Sequence, residues 1–122
     1  MHELAVTENL LDIALRHASN EDAKRITDIN IVIGDLSSII DDSVSFYWEI
    51  ITKGSIAEGA QLHFMRLQTL FRCLEFDRQF HPIADSFSCP ACQSRRIQII
   101  QGKEFYLESI QIEAGSNAHE DH

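Results

Sequence analysis

A chain of 122 residues with 44% apolar content has material for one modest domain and a small satellite, but not for two large cores. Ten basic against nineteen acidic residues leave a formal charge of −9, which argues against binding a phosphate backbone, so no nucleic-acid partner is expected. No apolar run approaches the roughly 18 residues of a spanning helix, and His2-Glu3 is not the basic start of an export signal; the expectation is a cytoplasmic protein with no membrane partner.

In chain order, Leu4, Leu11, Leu15 and Ala18 recur at helical spacing, with Val6, Leu10, Ile13 and Ala14 widening the stripe. This predicts a helix from about Leu4 to Ala18, stopped by Ser19-Asn20. From Arg25 to Ile33, the residues Ile29, Ile31 and Ile33 share one face and Val32 takes the other; the β-branched run closes at Gly34-Asp35. It predicts a strand buried on at least one side. Asp41 or Asp42 is placed to cap a second helix reaching about Lys53, with Val44, Tyr47, Trp48 and Ile51 on one face. Past Gly54 and Gly59, a second strand carries Leu62, Phe64, Met65 and Leu67, and a final strand runs from Phe105 to Ile112. The polar stretch 115–122 lacks periodicity and is expected to be a disordered tail.

Every cysteine lies between those last two strands: Cys73, then the pair in Cys89-Pro90-Ala91-Cys92. The same segment is electrostatically distinct. From Arg66 to Lys103 six basic residues face three acidic ones, a local charge of +3 that leaves −12 for the remainder. The expected architecture is α+β: two helices on a small three-stranded sheet, formed by residues 1–68 and 104–114, with a zinc-ribbon-like domain inserted at 69–103. About 30 residues cannot bury enough surface to fold unaided, and a metal tying two knuckles is the usual solution.

Tetrahedral zinc wants four ligands, and Cys73, Cys89 and Cys92 supply three; Phe76 stands where a second cysteine would complete the upstream pair. His81 is the chemically preferred fourth donor. Asp77 lies nearer in sequence, and water or a group from a second molecule is the third option. The bland alternative makes Phe76 an apolar plug among three free thiols. No motif supplies a general base for a catalytic zinc, and no helix N-terminus activates Cys89 or Cys92 for redox chemistry, so an enzyme is not expected.

The second constellation is Met1-His2-Glu3. An α-amine, the amide and imidazole of His2, and a following amide or carboxylate offer nitrogen and oxygen donors of the kind that suit square-planar Ni(II) or Cu(II). A solvated histidine is the ordinary reading of such a residue taken alone.

The opening M-H-E-L-A-V-T-E-N-L-L, the I-G-D-L-S after the first strand, E-G-A-Q-L, C-P-x-C and Q-G-K-E-F-Y-L-E-S-I-Q-I-E together resemble the HypA/HybF nickel-insertion proteins of NiFe-hydrogenase maturation. The likeness spans the chain to about Glu113. It implies a nickel site on the N-terminal residues, with His2 matching the nickel ligand and Glu3 beside it, and a structural zinc site to which Cys73, Cys89 and Cys92 contribute. It also implies two partners, a nickel-handling GTPase and the hydrogenase large-subunit precursor. A zinc-ribbon adaptor without a nickel role is the alternative.

Overall fold

The computed structural model describes residues 3–83 and 86–115. The chain divides into two compact units: Met1–Val32, Ser38–Met65 and Tyr106–His122 form the first, and Ile33–Ser37 with Arg66–Phe105 the second. The second unit thus takes in a short stretch, 33–37, that lies far upstream of the cysteines.

In the first unit, helix α1 covers Glu3–Asn20 and buries Thr7, Leu10, Ala14 and Ala18, one residue per turn. The buried line therefore runs through small residues, and Leu4 is left exposed. Ala14 and Ala18, fully buried, belong to the face where α1 and α2 pack together. Ser19 and Asn20 remain helical, contrary to expectation; the helix stops one step later, where Asp22 turns into the left-handed region at φ 55°.

Strand β1, Ala23–Gly34, is the centre of a three-stranded sheet of order β2-β1-β6, with β2 at Gln61–Leu67 and β6 at Phe105–Ala114. A central strand is covered on both faces, which is why Ile29, Ile31 and Ile33 on one side and Ile26 and Val32 on the other are all essentially inaccessible. Arg25 meets Glu113, Thr27 meets the Gln111 carbonyl and Asn30 meets Ser109, so β1 and β6 run in opposite directions. The final strand does return to the first sheet, and the cysteine segment is an insertion.

Helix α2, Asp41–Ile51, buries Val44 and Trp48 and ends two residues before Lys53. Its N-cap is Ile40, whose side chain makes no capping bond, so neither Asp41 nor Asp42 is the cap. The Ile40 N–H instead donates to Glu3 Oε2 at 3.1 Å. A carboxylate from the start of α1 thereby does what the third helical residue does in a capping box.

The second unit holds a separate sheet of order β4-β3-β5, with β3 at Leu70–Cys73, β4 at Arg78–Phe80 and β5 at Ile97–Gln101. Both pairings are antiparallel, placing Phe71 opposite Phe80 and Cys73 opposite both Arg78 and Ile97. Its core is small: Phe71, Phe80, Cys73 and Cys89, with Leu36, Cys92 and Ile97 packed against them. Phe71 meets Phe80 and Phe87 edge-on, at centroid separations of 5.7 and 5.2 Å. The 33–37 stretch is tied in by backbone bonds from Gly34 N–H to Glu104 O, from Asp35 N–H to Leu67 O and from Leu36 N–H to Gly102 O. Gly102 sits at φ 139°, and any Cβ on Gly34 would collide with the Gly102 carbonyl. Gly115 donates its N–H to Asp22 O; the rest of the expected tail, 116–122, lies outside the described residues.

Candidate metal centre

Two tight turns carry the cysteines, and they are built alike. In the first, Asp77 N–H donates to Cys73 O at 2.7 Å, with Asp77 at φ 55°. In the second, Gln93 N–H donates to Cys89 O at 2.7 Å, with Gln93 at φ 67°. Each turn thus starts on a cysteine and closes four residues later on a left-handed residue. The penultimate position of the second turn is Cys92. The matching position of the first is Phe76.

The turns bring three sulfurs together. Cys73, Cys89 and Cys92 place their Sγ atoms within 4.8 Å of one another, and Cys73 and Cys92 are 3.6 Å apart. Four thiolates at Zn–S distances of about 2.3 Å around a tetrahedral ion would stand about 3.8 Å apart. The spacing therefore fits three corners of a zinc tetrahedron, and it is far too long for a disulfide, consistent with three free thiols.

The environment divides the thiols. Burial works against ionising Cys89, but the N–H groups of Ala91 and Cys92 and the neighbouring thiols outweigh it and lower its pKa. At Cys92 the Ser94 N–H favours the thiolate, yet burial and the thiols of Cys73 and Cys89 prevail and push its pKa up. Thiols this close resist losing all their protons unless a cation takes the protons' place.

His81, expected as the fourth donor, is not in the cluster. Among the described residues only the three cysteines gather, and His81 Nδ1 lies 2.8 Å from the Thr69 carbonyl oxygen. That bond carries the chain out of β4 and turns the ring to the backbone. Asp77 is committed too: its carboxylate pairs with Arg72 at 2.6 Å on an exposed surface. Phe76 does not plug the site, since it is 67% exposed. Beside it lies a cleft of about 360 Å³ lined by Phe76, Arg78 and Ala91. Arg78 received no role in the sequence reading, because nothing in its spacing distinguishes it from other surface arginines.

The other expected centre falls mostly outside the described residues, which exclude Met1 and His2. Glu3 is described, and its carboxylate is buried and holds the Ile40 N–H. No helix among the described residues is long and apolar enough to cross a membrane.

A three-thiol knuckle pair inserted into a two-helix α+β protein defines a class of small metal-handling protein with a zinc-ribbon-like unit. Residues 1–112 match the family described as hydrogenase/urease nickel incorporation, metallochaperone, hypA. The chain is 40% identical over 114 residues to the hydrogenase maturation factor HypA of Caldanaerobacter subterraneus subsp. tengcongensis, covering 93% of this chain and all of that one. It is 36% identical over 118 residues to the factor of the same name from Dehalococcoides mccartyi, covering 97% and 99%. The solution structure of the nickel metallochaperone HypA from Helicobacter pylori aligns at TM-score 0.66 and 26% identity, over 94% of this chain and all of that one. A second HypA solution structure aligns at TM-score 0.72 and 26% identity, covering 94% and 98%. The chain belongs to the HypA family.

Proposed function

We propose that this protein is a nickel metallochaperone that binds one Ni(II) through Met1, His2 and the backbone of Glu3 and helps insert it into the large subunit of a NiFe-hydrogenase. The carrying observation is the family match, which begins at residue 1 and so includes the Met1-His2-Glu3 opening. The burial of the Glu3 carboxylate supports a division of labour in which its side chain serves the fold and its amide remains for the metal. A few exposed nitrogen donors suit a carrier, which must release its cargo by ligand exchange, better than a closed cage does. Its partners are a nickel-handling GTPase and the hydrogenase large-subunit precursor, and delivery requires no turnover of its own.

Cys73, Cys89 and Cys92 hold a structural Zn(II) that organises the second unit. The 3.6 Å separation of two of the sulfurs and the smallness of that unit's core support this reading.

The test is calorimetric titration of nickel into the protein with its native N-terminus, into His2→Ala, and into a version extended by residues ahead of Met1. One equivalent bound by the parent and none by either variant, with bound zinc unchanged in all three, is expected. Nickel binding equal in parent and His2→Ala would defeat the nickel site and leave the zinc-ribbon adaptor.

A further inference from the structure

The first cysteine turn keeps the backbone of a metal knuckle while lacking its second ligand. Residue 76 occupies the position that Cys92 holds in the second turn, and both turns close with the same 2.7 Å backbone bond. The fourth corner of the tetrahedron therefore falls beside residue 76. Phe76 has no donor atom and leaves the corner uncovered, with its ring largely in solvent. His81 and Asp77 are held by Thr69 and Arg72. Among the described residues, nothing else in the chain reaches the three sulfurs with a metal-ligating atom.

What lies at that corner is the cleft lined by Phe76, Arg78 and Ala91, one residue from the first turn, one from the second, and one from the strand between. Its volume, about 360 Å³, is at the small-molecule end of the range for ligand pockets. Zinc with three thiolates carries one net negative charge, and a fourth thiolate adds another, so the site needs a cation close by. Arg78 is that cation: it is exposed and makes no ion pair among the described residues, whereas Arg72 and Arg96 are paired with Asp77 and Glu75.

We infer that the open corner of the three-cysteine centre takes the thiolate of a small anionic thiol from solution, its sulfur completing the tetrahedron and its carboxylate meeting Arg78. The inference rests on the zinc reading of the cysteines and is independent of the nickel site. On binding, one S–H bond is lost and one metal–sulfur bond forms; the proton passes to solvent, the previous fourth ligand leaves, and no atom changes oxidation state. Soft sulfur is the donor type the existing three ligands already match, and a ligand supplied from outside makes this corner exchangeable, which a cysteine at position 76 would not be.

The experiment uses the whole protein loaded with Co(II) in place of zinc, in thiol-free reductant, titrated with mercaptoacetate or with neutral 2-mercaptoethanol. Thiolate-to-cobalt charge-transfer intensity scales with the number of sulfur ligands, so mercaptoacetate should raise it by about one third as three thiolates become four. Phe76→Cys should show the higher intensity at the outset and no response to added thiol. Arg78→Ala should require up to about fivefold more mercaptoacetate, the ratio expected for losing one exposed ion pair, with no change for 2-mercaptoethanol. Bound cobalt whose spectrum ignores both thiols in the parent would overturn the inference while leaving the zinc reading standing; failure to bind cobalt at all would overturn both. An equal affinity of parent and Arg78→Ala for mercaptoacetate would also overturn it.

Discussion

Asp28 and His63 form one of the closest ion pairs in the first unit, with Oδ2 and Nε2 2.7 Å apart and both side chains partly in solvent. The hydrogen bond from His63 lowers the Asp28 pKa, the Thr27 hydroxyl adds to it, and partial burial opposes both. A carboxylate whose folded-state pKa is depressed contributes stability that is complete above the unfolded-state value, about 3.9, and lost as pH falls through the folded one. Urea midpoints of the parent should therefore drop on going from about pH 6 to pH 3, and Asp28→Asn should show a shallower drop with a lower midpoint at neutral pH. Identical pH slopes would mean the pair contributes nothing. His63 was readable as a sheet residue from its alternation with apolar neighbours; its partner was not, because 35 residues separate the two and only strand pairing brings them together.

At the scale of elements, the contact that matters most for the second unit is between two stretches whose sequence gave no sign of proximity. Ile33–Ser37 and the turn at Gly102 are joined by paired backbone bonds, and the approach is so close that only hydrogen fits on Gly34. Gly34→Ala should force the strand end and the Gly102 turn apart, at a cost of about 1–3 kcal/mol. The loss should appear as earlier thermal unfolding and faster amide exchange at Leu36, whose N–H donates to Gly102 O. Unaltered protection there would show that the turn can move aside. The glycine was legible as the end of a strand, but its stricter role was not, since a residue that stops a strand and one that must admit a carbonyl look alike in sequence. Helix α2 makes the same point: Asp41 and Asp42 have the chemistry of caps, yet tertiary placement of Glu3 supplies the acceptor.

At the scale of the whole molecule, the two units differ in what holds them. The first buries a two-sided central strand and the inward faces of α1 and α2. The second has four core residues, two of them cysteines. Removing zinc should therefore unfold the second unit selectively. Trp48 is the sole tryptophan and belongs to the first unit, so its fluorescence reports on that unit alone. On adding a strong chelator to the zinc-loaded protein, the sheet signal in circular dichroism should fall while Trp48 emission stays constant. Simultaneous loss of both signals would refute the separate dependence on metal.

Local pattern by itself determined the helices and principal strands, the grouping of the three cysteines, and the family, because periodicity, β-branching and knuckle spacing act between neighbours in the chain. Only the tertiary structure decided that 33–37 belongs with the cysteines, that His81 is taken by Thr69, that Phe76 stands in solvent and that Arg78 borders the open corner. Each of these is a question of which distant group arrives first at a donor, an acceptor or an apolar face, and that is settled by packing across the fold.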